Sequence, residues 1–262
     1  MSLKRIRAIL LHEYFIISHS FEVINDIILY PLMSIIVFGF MTVYIAGTGG
    51  QVIARHVLIG MILWQVVNIT QYSIAVGCLW DVWARNLTNI FISPISTNEY
   101  FFSYALSGII KAAFVIFLGS SLSYFVFHFN ILSLGLFNLI LFFINLAFFA
   151  FSFSIVVLSL IFRFGTRIQA FAWGLITIFQ PLMAVIYPVS VLPEPFRSLA
   201  YIFPPTYVFE AARKSLDNSS IQIKEFGLAL ITNIIFCIIA FVFFKYMFKR
   251  SKELGNFARL EG

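Results

Sequence analysis

Residues Ala112–Phe162 read "AAFVIFLGSSLSYFVFHFNILSLGLFNLILFFINLAFFAFSFSIVVLSLIF" and contain no Asp, Glu, Lys or Arg. A helix rises 1.5 Å per residue, so about 20 residues cross the roughly 30 Å of bilayer hydrocarbon. The run is long enough for two crossings. Its polar break at His128-Phe129-Asn130, with Ser133 close behind, marks the turn between them. The rest of the chain agrees. Of 262 residues, 61% are hydrophobic and 11% charged, with 33 Phe, where soluble domains sit near 45–50% apolar and about 25% charged. A soluble fold of this length leaves roughly a quarter of its unfolded area exposed and could not hide so much apolar surface. The bilayer is the solvent.

Four further charge-free gaps, 27–54, 56–80, 168–193 and 226–244, each hold one crossing. The pattern predicts an all-α polytopic membrane protein with six transmembrane helices, near 26–46, 56–77, 100–127, 134–162, 168–188 and 225–247. An even count puts both termini on one side. With both ends inside, the inner segments carry Lys4, Arg5, Arg7, Arg85, Arg163, Arg167, Lys245, Lys249, Arg250, Lys252 and Arg259. The outer segments carry only Arg55, Arg197, Arg213, Lys214 and Lys224. The positive-inside bias places both termini in the cytoplasm. The formal charge of +6 thus follows from topology, and nucleic acid is not an expected partner.

Residues Leu3–Phe21, "LKRIRAILLHEYFIISHSF", place Ile6, Ile9, Leu10, Ile16 and Ile17 at helical spacing among basic and polar residues. This predicts an amphipathic helix in the cytoplasmic interface, a first unit of residues 1–22. Glu13, Glu22 and Asp26 interrupt any signal-peptide core,. The six-span unit follows over 23–248, and a cytoplasmic tail over 249–262. Cys78 and Cys237 fall in or beside predicted spans, and two isolated Cys make neither a disulfide framework nor a metal pattern,.

Between spans two and three, Cys78–Tyr100 reads "CLWDVWARNLTNIFISPISTNEY". Trp80 and Trp83 suit headgroup depth. A short helix is expected over Asp81–Phe91, ended at Ser93-Pro94 because the residue before Pro is driven from the α region. The "RFGTR" loop at 163–167 is short, so spans four and five are expected to be close neighbours.

The outer segment 188–225 is too apolar for a solvated loop, and Pro193, Pro195, Pro204 and Pro205 punctuate it. Two helical pieces are expected, Glu194–Phe203 and Pro205–Ser215, neither long enough to span. Such pieces survive at membrane depth only when buried in protein or beside a water-filled cavity. This predicts a re-entrant pair over about 189–222. Glu210 and Arg213 stand three residues apart on one helical face and are expected to pair. A plain charge pair would survive a swap of the two residues.

These features resemble the transmembrane subunit of an ABC-2 type exporter. The local matches are "RNLTNIFISPISTNEYFFSYALSGIIKAAF" (Arg85–Phe114) and "LPEPFRSLAYIFPPTYVFEAAR" (Leu192–Arg213). The resemblance implies two permease protomers, homodimeric or heterodimeric, in a bacterial or archaeal cytoplasmic (inner) membrane. It implies two copies of a cytoplasmic ATPase that bind ATP and Mg. The coupling helix, about 80–92, would engage that ATPase through Asp81, Trp83, Arg85, Asn86, Thr88, Phe91 and Pro94. Pro193, Pro195, Pro204, Pro205, Tyr207, Glu210 and Arg213 would form an outer gate. Export of an amphipathic, lipid-like or lipid-linked substrate, a drug or a glycan among them, is the implied activity. Polysaccharide-exporting relatives carry an aromatic- and Arg-rich run where this chain reads "FEVINDIILYPLMSIIVFGF" (Phe21–Phe40), which weakens the case for a long glycan.

The chain has no G-x-x-x-x-G-K-[ST], and "GTGGQ" at Gly47–Gln51 lacks the Lys, so no cofactor is expected on this chain. The rival classes are a membrane-embedded enzyme and a secondary carrier acting without an ATPase. The 4 His are dispersed, which disfavours the enzyme. The carrier is disfavoured because only 188–224 reads as broken helix. Lys111 lies roughly 16 Å into span three. It either faces the pathway or snorkels to the inner headgroups.

Overall fold

The computed structural model describes residues 2–218 and 222–253, excepting the side chains of Leu87, Thr88, Phe91, Thr166, Asp217, Asn218 and Lys252. Helix α1 covers Leu3–His19 and stops at Ser20, whose extended backbone starts α2 (Phe21–Gly47) and whose hydroxyl accepts the Val23 N–H at 3.4 Å. The first turns of α2 contain a π-helical stretch, Asn25–Leu29. Then follow α3 (Gln51–Trp83), a short α4 (Leu87–Ile92), α5 (Thr97–Phe127) and α6 (Leu136–Phe164). After α6 come α7 (Phe171–Met183), α8 (Phe196–Ala200), α9 (Pro204–Asn218) and α10 (Ile223–Glu253).

The break expected in the long apolar run falls where the polar residues put it. His128 takes a left-handed φ of 53° and ends α5, and Asn130 accepts the Leu132 N–H at 3.0 Å to start a 3-10 turn before α6. Among the described residues, five helices are long and apolar enough to cross a membrane: α2, α3, α5, α6 and α10. The expected crossing at 168–188 is shorter than its charge-free gap suggests. Its apolar helix α7 ends in a 3-10 turn, Gln180–Met183, and measures roughly 21 Å. Pro181 removes a backbone donor, and Ala184 then turns left-handed at φ 56°,.

Helix α3 is the centre of the packing. It contacts α2, α5, α6, α7 and α9, and Ile62, Val66, Val67, Ala75 and Leu79 along it are wholly buried. At Gly60 its backbone comes so close to Val185 that an added Cβ would sit 1.9 Å from the Val185 carbonyl oxygen, so only Gly fits there. By contrast, α2 exposes Met33, Val37, Phe40 and Tyr44, and α10 exposes Ile231, Ile234, Ile235 and Ile238. These faces suit lipid. Polar side chains join neighbouring helices: Asn233 of α10 donates to Asn145 of α6 at 3.3 Å, and Gln71 of α3 donates to the Ala172 carbonyl of α7 at 3.0 Å. The short 163–167 link sets α7 against both α6 and α3.

Candidate functional site

Two ends of the bundle carry the charged chemistry. At the end that holds α1, the chain leaves α3, turns, makes α4 and enters α5. The expected single helix over Asp81–Phe91 is in fact divided. Asp81 and Trp83 belong to the last turn of α3, and Arg85, with φ 52°, makes the turn into α4. A non-glycine residue in that region is held by its surroundings. The hold starts at Asp81, which is 1% exposed and accepts hydrogen bonds from the Tyr100 and Tyr104 hydroxyls, each at 2.6 Å. Its backbone carbonyl accepts the Asn86 N–H at 2.9 Å. The C-terminal turn of α3 and the first turns of α5 are thereby fixed to each other. Gly77 allows this: an added Cβ would lie 2.4 Å from the Tyr104 ring.

The start of α5 is equally determined. Ser96 and Glu99 form a reciprocal capping box, with the Ser96 hydroxyl accepting the Glu99 N–H at 3.2 Å and the Glu99 carboxylate accepting the Ser96 N–H at 3.0 Å,. The same carboxylate accepts the Ser2 N–H at 2.7 Å and pairs with Arg5 at 3.3 Å. About two turns further along α1, His12 stands 4.0 Å from Asp81. The Lys111 ammonium of α5 then meets Glu13 at 2.6 Å, with Ser107 donating to the same carboxylate at 3.3 Å. Three acids thus bind α1, α3 and α5 into one unit. Lys111 is matched by Glu13 within the protein.

Because Glu13 and Lys111 are both largely buried (5% and 11% exposed), removing one partner strands the other. Lys111→Ala is expected to cost about 3–5 kcal/mol, and Glu13→Leu/Lys111→Met to recover most of it. Thermal unfolding of the two variants in one detergent checks this.

On the surface of this end, Arg85 and Pro94 are exposed and Asn86 is half-buried, accepting from the Asn89 amide at 3.4 Å. Trp83 is 37% exposed, stacks on Trp173 of α7 at 5.8 Å and donates its indole N–H to Gln169 at 3.2 Å. The side chains of Thr88 and Phe91 lie outside the described residues, although their backbone is helical.

At the opposite end, Pro204 and Pro205 open α9, where an absent N–H costs nothing,. The Thr206 hydroxyl donates to the Ala200 carbonyl at 2.6 Å and the Tyr207 hydroxyl to the Tyr201 carbonyl at 2.9 Å, tying α9 to α8. The first piece of the pair is the five-residue α8, shorter than the Glu194–Phe203 expected, and it follows exposed Pro193 and Pro195. Glu210 and Arg213 do pair, at 3.0 Å. The pair has more partners than the sequence suggests. Arg213, 5% exposed, donates to the carbonyls of Ala184, Val185 and Tyr187, and Glu210 accepts the Val189 N–H at 2.9 Å. Arg213 therefore caps α7 at its C-cap Ala184 and holds the turn beyond the helix through the carbonyls of Val185 and Tyr187. Burial lowers its pKa from the ordinary guanidinium value, and Glu210 opposes the shift,. On this geometry the charge swap is expected to give no rescue, since a carboxylate at 213 would face three carbonyl oxygens.

Between the two ends, α2, α3 and α7 enclose a cavity of about 310 Å³ that includes Asp26, Gln65, Tyr72, Trp173 and Gln180. A larger, apolar one of about 820 Å³ opens between α5 and α6.

The profile of the ABC-2 type transporter family matches residues 21–217, from the start of α2 to the end of α9 and well over half of the chain. The chain belongs to the ABC-2 type transporter family. No curated protein matches it. As an ABC-2 permease it is a multi-pass membrane protein and a transport subunit, and its family domain lacks an ATP-binding cassette. Both ends described above fall within or against the matched segment. The partners of the ABC-2 charges were not legible in sequence: Glu13 and Lys111 stand far apart in the chain, and nothing in the spacing of Asp81, Tyr100 and Tyr104 announces a shared site.

Proposed function

We propose that this ABC-2 permease exports an amphipathic, lipid-like or lipid-linked molecule, powered by a separate cytoplasmic ATPase. Two protomers form the path and two ATPase subunits drive it, in a bacterial or archaeal inner membrane with both termini cytoplasmic. The α3–α5 connection is the coupling element. Support for this comes from one observation above all: an exposed loop, with Arg85 and Pro94 at its surface, is wired by buried Asp81 to α3 and α5. A load on such a loop moves two long helices together. Helices α8 and α9 dip from the outer face as a re-entrant gate, with Arg213 and Glu210 holding the end of α7. ATP closure pressing on the loop would shift α3 against α7.

Arg85→Glu reverses the only cation in the α3–α5 connection without touching a buried group. Co-expressed with its ATPase, this variant is expected to lose at least about tenfold in complex recovery and substrate-stimulated hydrolysis, and Pro94→Ala to lose less. Unchanged recovery and stimulation in both would remove the coupling assignment.

A further inference from the structure

We propose that the cavity between α2, α3 and α7 binds an amphipathic cation, its positive group at Asp26 and its apolar body along the aromatic wall. That this cation is the cargo rests on the exporter reading above.

Among the described residues, Asp26 and the exposed Glu22 are carboxylates without a cationic partner, and Asp26 is the one that lines this cavity. Glu13 has the Lys111 ammonium, Glu99 the Arg5 guanidinium, and Asp81 two phenolic donors with His12 beyond them. Asp26 has the Tyr72 hydroxyl, donating at 3.0 Å, and among the described residues no Lys, Arg or His pairs with it or lines the cavity. It stands near the start of a membrane-crossing helix, where an ionisable side chain is kept for a partner or a ligand. A second group asks for the same kind of partner. Gln65 is 1% exposed, and its amide nitrogen is used on the Met61 carbonyl at 3.3 Å. Its Oε1 is buried with no donor. Buried acceptors without donors are costly, so the cavity favours a ligand that brings positive charge or N–H groups.

The remaining wall suits the rest of such a molecule. Phe38, Trp64 and Trp173 line it, and Asp26 and Phe38 are separated by roughly 18 Å along α2. Aromatic faces attract cations and cover apolar surface. An anionic amphiphile would meet Asp26 and the free Gln65 oxygen with the wrong sign.

The test uses the full chain purified into nanodiscs, with empty discs subtracted, and two probes of the same shape and opposite charge, tetraphenylphosphonium and tetraphenylborate. Trp fluorescence quenching reads binding at Trp64 and Trp173. The phosphonium is expected to bind saturably, about tenfold or more weakly in Asp26→Asn, and within a few-fold of the native affinity in Asp26→Glu. The borate is expected to bind no more weakly in Asp26→Asn than in the native chain. Equal binding of both probes, an unchanged phosphonium affinity in Asp26→Asn, or equal loss in the Asn and Glu variants would overturn the site. Binding needs no ATPase, so the two readings separate. An Asp26-dependent site in a chain that recovers no ATPase upholds the site and refutes the exporter. An ATPase-coupled complex with no preference for the cation does the reverse.

Discussion

Arg213→Ala is expected to cost about 3–5 kcal/mol, the scale for removing one partner of a buried ion pair. The side chain is 5% exposed and donates to Glu210 and to the carbonyls of Ala184, Val185 and Tyr187. Its loss strands a carboxylate and uncaps the end of α7 in a single step. Transport is expected to vanish even where the protein is still recovered, since α7 and α9 would lose their joint. Glu210→Gln is expected to be much milder, because a neutral amide oxygen still accepts the Val189 N–H and one Arg213 bond. The swap variant Glu210→Arg/Arg213→Glu is expected to be no better than Arg213→Ala. Unfolding in mixed micelles checks all three, and rescue by the swap would show that charge alone, without the α7 carbonyls, defines the site.

The second large effect belongs to Asp81→Ala. It takes the Asp81 acceptor from two buried phenolic hydroxyls, at about 1–3 kcal/mol for each group left unsatisfied. It also releases the α3 terminus from α5. The expected result is a permease with reduced stability and with ATPase stimulation lost. Tyr100→Phe and Tyr104→Phe each remove a donor and leave Asp81 one remaining bond, so each should cost roughly 1–2 kcal/mol. Removing both should exceed the sum, because the carboxylate is then left with His12 alone, 4.0 Å away,. Additive losses would mean that the two phenols do not share one acceptor in solution.

The fold was readable where it follows from local physics. The charge gaps gave the five long crossings, His128 and Asn130 marked the turn between α5 and α6, and Pro204 and Pro205 marked the start of α9. The apolar run at 168–193 misled on length. A helix there is stopped at Met183 by Pro181, by the left-handed Ala184 and by a guanidinium 30 residues downstream, and hydropathy registers none of these. The Glu210–Arg213 pair was legible because i,i+3 neighbours are set by helix geometry. Its carbonyl partners were not, and that omission reverses the outcome expected of the charge swap. The same reason hid the pairing of Lys111. Sequence offered an aqueous pathway or the headgroups as partners for its charge, whereas the fold brings Glu13 of α1 against it at 2.6 Å. Asp26 gave a partial signal, an acid at the edge of an apolar run. The polar stripe Gln65, Asn68 and Tyr72, at helical spacing on α3, went unread in the sequence and would have pointed to the cavity it lines,.

The claim that this permease works with a separate ATPase docked on the α3–α5 connection is tested most directly by one measurement. The tagged chain is withdrawn from native membranes and its partners are identified and counted by mass. The expected result is a P-loop ATPase at one copy per permease chain, lost when Arg85 is replaced by Glu. A stable homomer that carries no ATPase, with native Arg85 in place, would contradict the account.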